Sequence, residues 1–182
     1  GEGRKERAQE YFSMLIYTVL VVGGVLSVIS VALTEPIARL AGASDLLIDD
    51  CVAYGRIMLA GSVVFMLQVL FQSFFVVAER PQLGLFFSVA AGVTNMGLDY
   101  VFIALMDLGI AGAALATVAG YCVGGIIPLI YFLTGERSGL RLGKTKLYGR
   151  QLLQACANGS SELMSNISSS IVSILYNLQL MR

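Results

Sequence analysis

Apolar residues run through five stretches of the chain, and polar residues cluster between them. A bilayer core of about 30 Å is crossed by about 20 mostly apolar helical residues. The first stretch, Tyr11 to about Leu33, carries no charge. The second runs from about Cys51 to Ala78, with Arg56 near its start and Gln68 and Gln72 later. The third, about Gln82 to Met106, contains Asn95 and Asp99. The fourth runs from about Ile110 to Leu133. The fifth, about Arg150 to Leu180, is the most polar and contains Glu162. The pattern predicts an all-α transmembrane helical bundle of about five spans.

The breaks fit that reading. "TEPIARLAGASDLLIDD" has the Pro, Gly and Asp of a connection and room for a short interfacial helix. "ERP" predicts a tight turn, with Pro81 suited to a first helical turn. "MDLG" is short enough to force the third and fourth helices into an antiparallel hairpin. "TGERSGLRLGKTKLYGR" is the one long polar linker.

Composition strengthens the membrane reading. The 182 residues are 57% hydrophobic and 13% charged, with mean hydropathy +0.79. Soluble domains carry about 25% charged residues. Formal net charge is zero, so nothing points to nucleic acid. There is no His, and Cys51, Cys122 and Cys156 lie far apart. That spacing excludes Cys/His zinc patterns and predicts buried free thiols. "GLRLGKT" lacks the first P-loop glycine, because residue 138 is Ser. The sequons at Asn158 and Asn166 fall inside a predicted span. No nucleophile–base–orienter set is present, so catalysis is not expected. The chain begins without Met and ends inside an apolar pattern, which reads as part of a longer protein.

Charge placement sets an orientation. Arg4, Lys5, Arg7, Arg80, Arg137, Arg141, Lys144, Lys146 and Arg150 fall on one side of the alternation; Arg39, Arg56 and Arg182 fall on the other. The positive-inside rule puts the N-terminal segment and the long linker in the cytoplasm.

Asp99 carries the strongest chemical signal. A carboxylate in a membrane helix costs roughly 2.5–3.5 kcal/mol on insertion scales and normally faces protein or water. It closes a stripe of small and polar residues, Gly84, Ser88, Gly92, Asn95 and Asp99, at spacings of three or four. The fourth helix offers Gly112, Ala116, Gly120 and Gly124, which would allow close approach. Asp99 lies nine residues before Leu108 and Thr117 nine after. At about 1.5 Å per residue both sit about 13 Å from the turn. The hairpin therefore predicts a carboxylate, an amide and a hydroxyl at one depth. These are hard oxygen ligands suited to H⁺ or Na⁺. A structural hydrogen-bond knot is the other reading of the same residues. Glu162, Gln68 and Gln72 are further candidates for coupling or substrate contact, with helix-to-helix hydrogen bonding as the plainer role for the two glutamines.

Residues 95–117, "NMGLDYVFIALMDLGIAGAALAT", resemble the fifth and sixth helices of the multidrug and toxic compound extrusion (MATE) family. "ARLAGASDLLIDDCVAYGRIMLAG" resembles its loop and fourth helix, and "ANGSSELMSNISSSIVSILYNLQLMR" the seventh helix of some bacterial members. The family, within the MOP superfamily, has twelve helices in two lobes. The resemblance implies that residues 1–134 are helices three to six of the first lobe, 135–149 the cytoplasmic linker, and 150–182 the first helix of the second lobe. It implies efflux of small cationic or amphipathic drug-like compounds by antiport with H⁺ or Na⁺, in a plasma membrane, with no other cofactor. The remaining helices of the longer chain and membrane lipid would be the partners. It also implies that Asn95, Asp99 and Thr117 belong to a first-lobe cation site whose helix-one Asp lies outside this sequence. Some members use a helix-seven Glu in a Gly-x-Pro context; "NGSSE" stands there instead, with Glu162 at another offset. Two other functions remain open: a lipid-linked oligosaccharide flippase of the same superfamily, and a non-transporting membrane scaffold.

Overall fold

The computed structural model describes residues 2–134, 143 and 145–180. Arg137, Arg141, Lys144 and Arg182, used in the charge argument, lie outside the described residues, as do the side chains of Arg4 and Lys5. All described regular structure is helical: α1 (Glu2–Ala32), α2 (Thr34–Leu40), α3 (Ile48–Ala60), α4 (Ser62–Val77), α5 (Pro81–Asp99), a π-helical segment (Tyr100–Leu105), α6 (Gly109–Thr134) and α7 (Gly149–Leu180). Among the described residues three helices are long and apolar enough to cross a membrane: α1, α5 with its π extension, and α6. The bent pair α3–α4 meets the same criterion when taken together as one broken span. The protein is multi-pass. The fifth expected span is present as a helix, α7, but its Ser- and Asn-rich sequence is not among the segments apolar enough to cross.

The α3–α4 run was expected to be one continuous helix. It bends by 45° at Gly61 instead. A bend frees carbonyls, and in a bilayer they must find donors inside the protein. Ser27 of α1 donates to Leu59 O at 2.6 Å, and Ser62 donates to the same oxygen at 2.7 Å. Gly61 sits where a Cβ would lie 2.5 Å from Val118 Cγ2, so α6 touches the bend directly. Ser27→Ala removes one of these donors. It is expected to lower the stability of the detergent-solubilised protein by about 1 kcal/mol, measured by thermal unfolding.

α6 runs through the middle of the bundle, and its small residues set how close its neighbours come. At Gly120 a Cβ would lie 2.9 Å from Ala91 O of α5; at Gly125 it would lie 2.7 Å from Val64 O of α4. α5 was expected to meet α6 through Gly92, but Gly92 is exposed with open space around it, and Ala91 makes the contact. Away from this seam, Phe12, Ile16, Leu67, Phe71, Phe75 and Phe132 pack the core toward the linker end of α6. Phe71 and Phe132 stack there at 5.5 Å.

The described part of the linker lies on α1. Gly143 N donates to Ser13 Oγ at 3.0 Å, and Thr145 Oγ1 to Glu10 O at 2.8 Å. Tyr148 donates its hydroxyl to the Glu10 carboxylate and sets its ring edge-on to Tyr11. The Glu10 hydrogen bond is the main reason the Tyr148 hydroxyl titrates above its ordinary range, with burial second.

Candidate functional site

The hairpin expected from "MDLG" forms at Met106–Leu108, where Asp107 and Gly109 take positive φ (53° and 56°). Its register differs from uniform α-helical arithmetic. Gly112 packs on Phe102, Thr117 bonds Asn95, and Gly120 packs on Ala91. From the first of these contacts to the second, the α5 arm passes seven residues while α6 passes five. The π segment starts directly after Asp99 and its first residues, Tyr100 to Phe102, fall in that interval. An i→i+5 winding packs more residues into each turn, so it advances less per residue than an α-helix. Asp99 is drawn toward the turn, and Asn95 takes the level opposite Thr117.

The structure therefore brings Asn95 and Thr117 together, with Asn95 Nδ2 donating to Thr117 Oγ1 at 3.3 Å. The Thr117 hydroxyl in turn donates to Ala113 O at 2.9 Å. Asp99 bonds neither of them. It is half-buried, and its Oδ1 is fully buried without a hydrogen-bond partner. A buried carboxylate oxygen in that state is costly unless a cation or a donor serves it.

A cleft of about 310 Å³ opens beside this pair, lined from α5 by Ser88 and Asn95, from α6 by Thr117 and Tyr121, and from α4 by Gln68. Tyr121 lies one helical turn beyond Thr117, at the polar cleft, with its ring 4.9 Å from that of Phe65. Gln72 donates to Ser88 Oγ at 3.0 Å, which ties α4 to α5. Glu162 is not brought to this cluster: it lies exposed on α7, and its backbone oxygen accepts from Asn166 at 3.0 Å. Among the described residues no group of three His, Cys, Asp or Glu side chains could hold a metal ion. What the cleft offers is amide and hydroxyl oxygens, with one carboxylate a turn away. Sequence reasoning missed the π segment. No residue type in "YVFIAL" announces it; it shows only in the register.

Comparison with known proteins agrees with this architecture. The family model MatE matches residues 1–101, a range that includes Asn95 and Asp99. The chain is similar to the multidrug export protein MepA of Staphylococcus saprophyticus subsp. saprophyticus, 29% identical over 133 residues. That alignment covers 72% of this chain and 30% of the relative. A multidrug resistance MATE family transporter of the MOP superfamily, solved in an inward-facing conformation, superposes with a TM-score of 0.84. It shares 19% identity over 94% of this chain and 39% of its own, a likeness of fold. The chain thus spans well under half the length of either relative. With more than half of its residues matched by the family model, and the fold matched over nearly all of it, the chain belongs to the MatE family.

Proposed function

We propose that this chain is the ion-coupling part of a secondary active efflux transporter, which moves small cationic or amphipathic compounds out of a cell in exchange for H⁺ or Na⁺. The observation that carries this reading is the partnerless buried Asp99 Oδ1, one turn from the Asn95–Thr117 hydrogen bond at an open polar cleft. Asp99 holds the ion, and Asn95 and Thr117 supply neutral oxygens. Taking up or losing the ion changes the charge buried between α5 and α6, and this biases the packing between inward- and outward-open forms. The names of the matched relatives, a multidrug export protein and a multidrug resistance transporter, support a drug-like cargo. None of the cleft-lining residues is basic, which favours such cargo over an oligosaccharide diphosphate lipid.

In the orientation this implies, α1 starts in the cytoplasm. The Glu79–Arg80 turn and the linker share that side, an arrangement that needs only the four apolar spans. Bacterial origin and a plasma-membrane location belong to the same proposal. Glu162 has no assigned part in it.

The test is Thr117→Val in the full-length transporter, which keeps the side-chain shape and removes the hydroxyl. The ion concentration for half-maximal efflux from vesicles should rise about tenfold, the value of one hydrogen-bonding oxygen. An unchanged half-saturation would show that Asn95 and Thr117 only lock two helices together.

A further inference from the structure

Beside the linker lies a groove of about 380 Å³ that the proposed transport leaves unused. Met14, Tyr17, Val21 and Val22 of α1 line one wall, and Leu147 and Leu152 line the other. Hydrogen bonds fix the depth of these walls. Thr145 Oγ1 donates to Glu10 O, and the Tyr148 amide donates to Met14 Sδ at 3.3 Å. Residues 145–148 therefore form a strap level with residues 10–14 of α1. The charge-free run of α1 begins at Tyr11, which puts the strap at the membrane surface. Val22 follows Met14 by eight residues, about 12 Å deeper at the rise of an α-helix. The groove thus runs from head-group level into the hydrocarbon, between apolar walls.

One charge stands at its shallow end. Lys146 lines the groove and is exposed. Among the described residues the ion pairs are those of Arg39, so no carboxylate serves Lys146. Glu10 is engaged by the Tyr148 hydroxyl instead. Arg150, exposed in the first turn of α7, adds positive charge at the same level. An unpaired ammonium at head-group level, above an apolar groove, matches one ligand chemistry: an anionic phosphate ester that carries a hydrocarbon chain. A further helix of the longer chain fits less well. The strap crosses the shallow end of the groove, so a helix lying there would have to leave the membrane through residues 145–148. A lipid ends at that level.

We propose that this groove holds an anionic phospholipid, with its phosphate on Lys146 and one acyl chain along Val21 and Val22. The bound lipid fills the gap between α1 and the first turns of α7 and braces the strap between them. Its leaflet follows from the proposed orientation; the site itself needs neither that orientation nor ion coupling at Asp99.

The test titrates purified full-length transporter in detergent with phosphatidylglycerol and, in parallel, with phosphatidylcholine, and counts bound lipid by native mass spectrometry. The wild type should hold one phosphatidylglycerol at least about fivefold more tightly than phosphatidylcholine, the value of one lysine at a membrane surface. Lys146→Gln should remove that preference and leave phosphatidylcholine binding unchanged. Val22→Trp fills the deep end of the groove and should weaken both lipids. Soluble glycerol phosphate, which has the charge without the chain, should not compete. A preference that survives in Lys146→Gln would overturn the head-group contact, and unchanged binding in Val22→Trp would overturn the chain contact. A wild type that does not distinguish the two lipids, or retains neither, would overturn the proposal as a whole; the second result would mean that another part of the full-length chain covers the groove.

Discussion

Asp99→Asn in the full-length transporter is expected to reduce ion-driven substrate efflux to the level of empty vesicles, while the protein still reaches the membrane in normal amount. The Asn side chain is nearly isosteric, so the packing of α5 against α6 is kept. What is lost is the only carboxylate in the π-capped arm of the hairpin, at an oxygen that is buried with no donor. Removing a charge from such a place relieves a desolvation cost of roughly 2.5–3.5 kcal/mol on insertion scales. The variant should therefore unfold no more readily than the wild type. Lost transport together with retained or raised thermal stability separates a functional carboxylate from a structural knot, which would give the opposite pair of results.

The second large effect is expected at Gly120. A Cβ there would lie 2.9 Å from the backbone oxygen of Ala91 and 3.2 Å from Asn95 Cβ. Backbone cannot turn aside as a flexible side-chain end can. Gly120→Ala should push α5 off α6 and cost about 1–3 kcal/mol, as overpacked cores do. The displacement falls on the turn that carries Asn95, so ion affinity should fall along with stability. Gly92→Ala is the matched control for stability, at a glycine that opens on the cleft and not on α6 backbone: nothing lies within 4 Å of its Cβ. Better helix propensity should make it neutral or stabilising by up to about 1 kcal/mol. Thermal unfolding of the two variants side by side checks the pair, and equal destabilisation would mean that close α5–α6 contact is not what Gly120 serves.

Much of this was readable in the order of residues. Long apolar runs place α1, α5 and α6 because lipid leaves a backbone few structures to adopt. "MDLG" forces the hairpin because too few residues remain for anything else. What escaped depends on contacts between distant segments. Gly61 looks like any helix glycine within "LAGS"; at the bend Val118 packs on it and Ser27 donates to Leu59 O, contacts that come from α6 and α1. The partner of Thr117 moved from Asp99 to Asn95 because the π segment shortens one arm of the hairpin, and "YVFIAL" contains no Pro or Gly to mark it. The stripe containing Gly92 gave way to Ala91 at the contact, for the sequence periodicity cannot resolve adjacent positions on one broad face. Glu162 stands apart from the cluster because α7 makes no extended interface with α1–α6 among the described residues.

The central claim is that ion binding at the Asp99–Asn95–Thr117 cluster is exchanged for cargo. The most direct measurement is the release of bound ion when a cationic drug is added to the purified full-length transporter, followed with a pH-sensitive dye and with radioactive sodium in parallel. The account predicts saturable release of H⁺ or Na⁺ that disappears in Asp99→Asn. Drug binding that displaces neither ion from the wild type, or displaces it equally from Asp99→Asn, would contradict it.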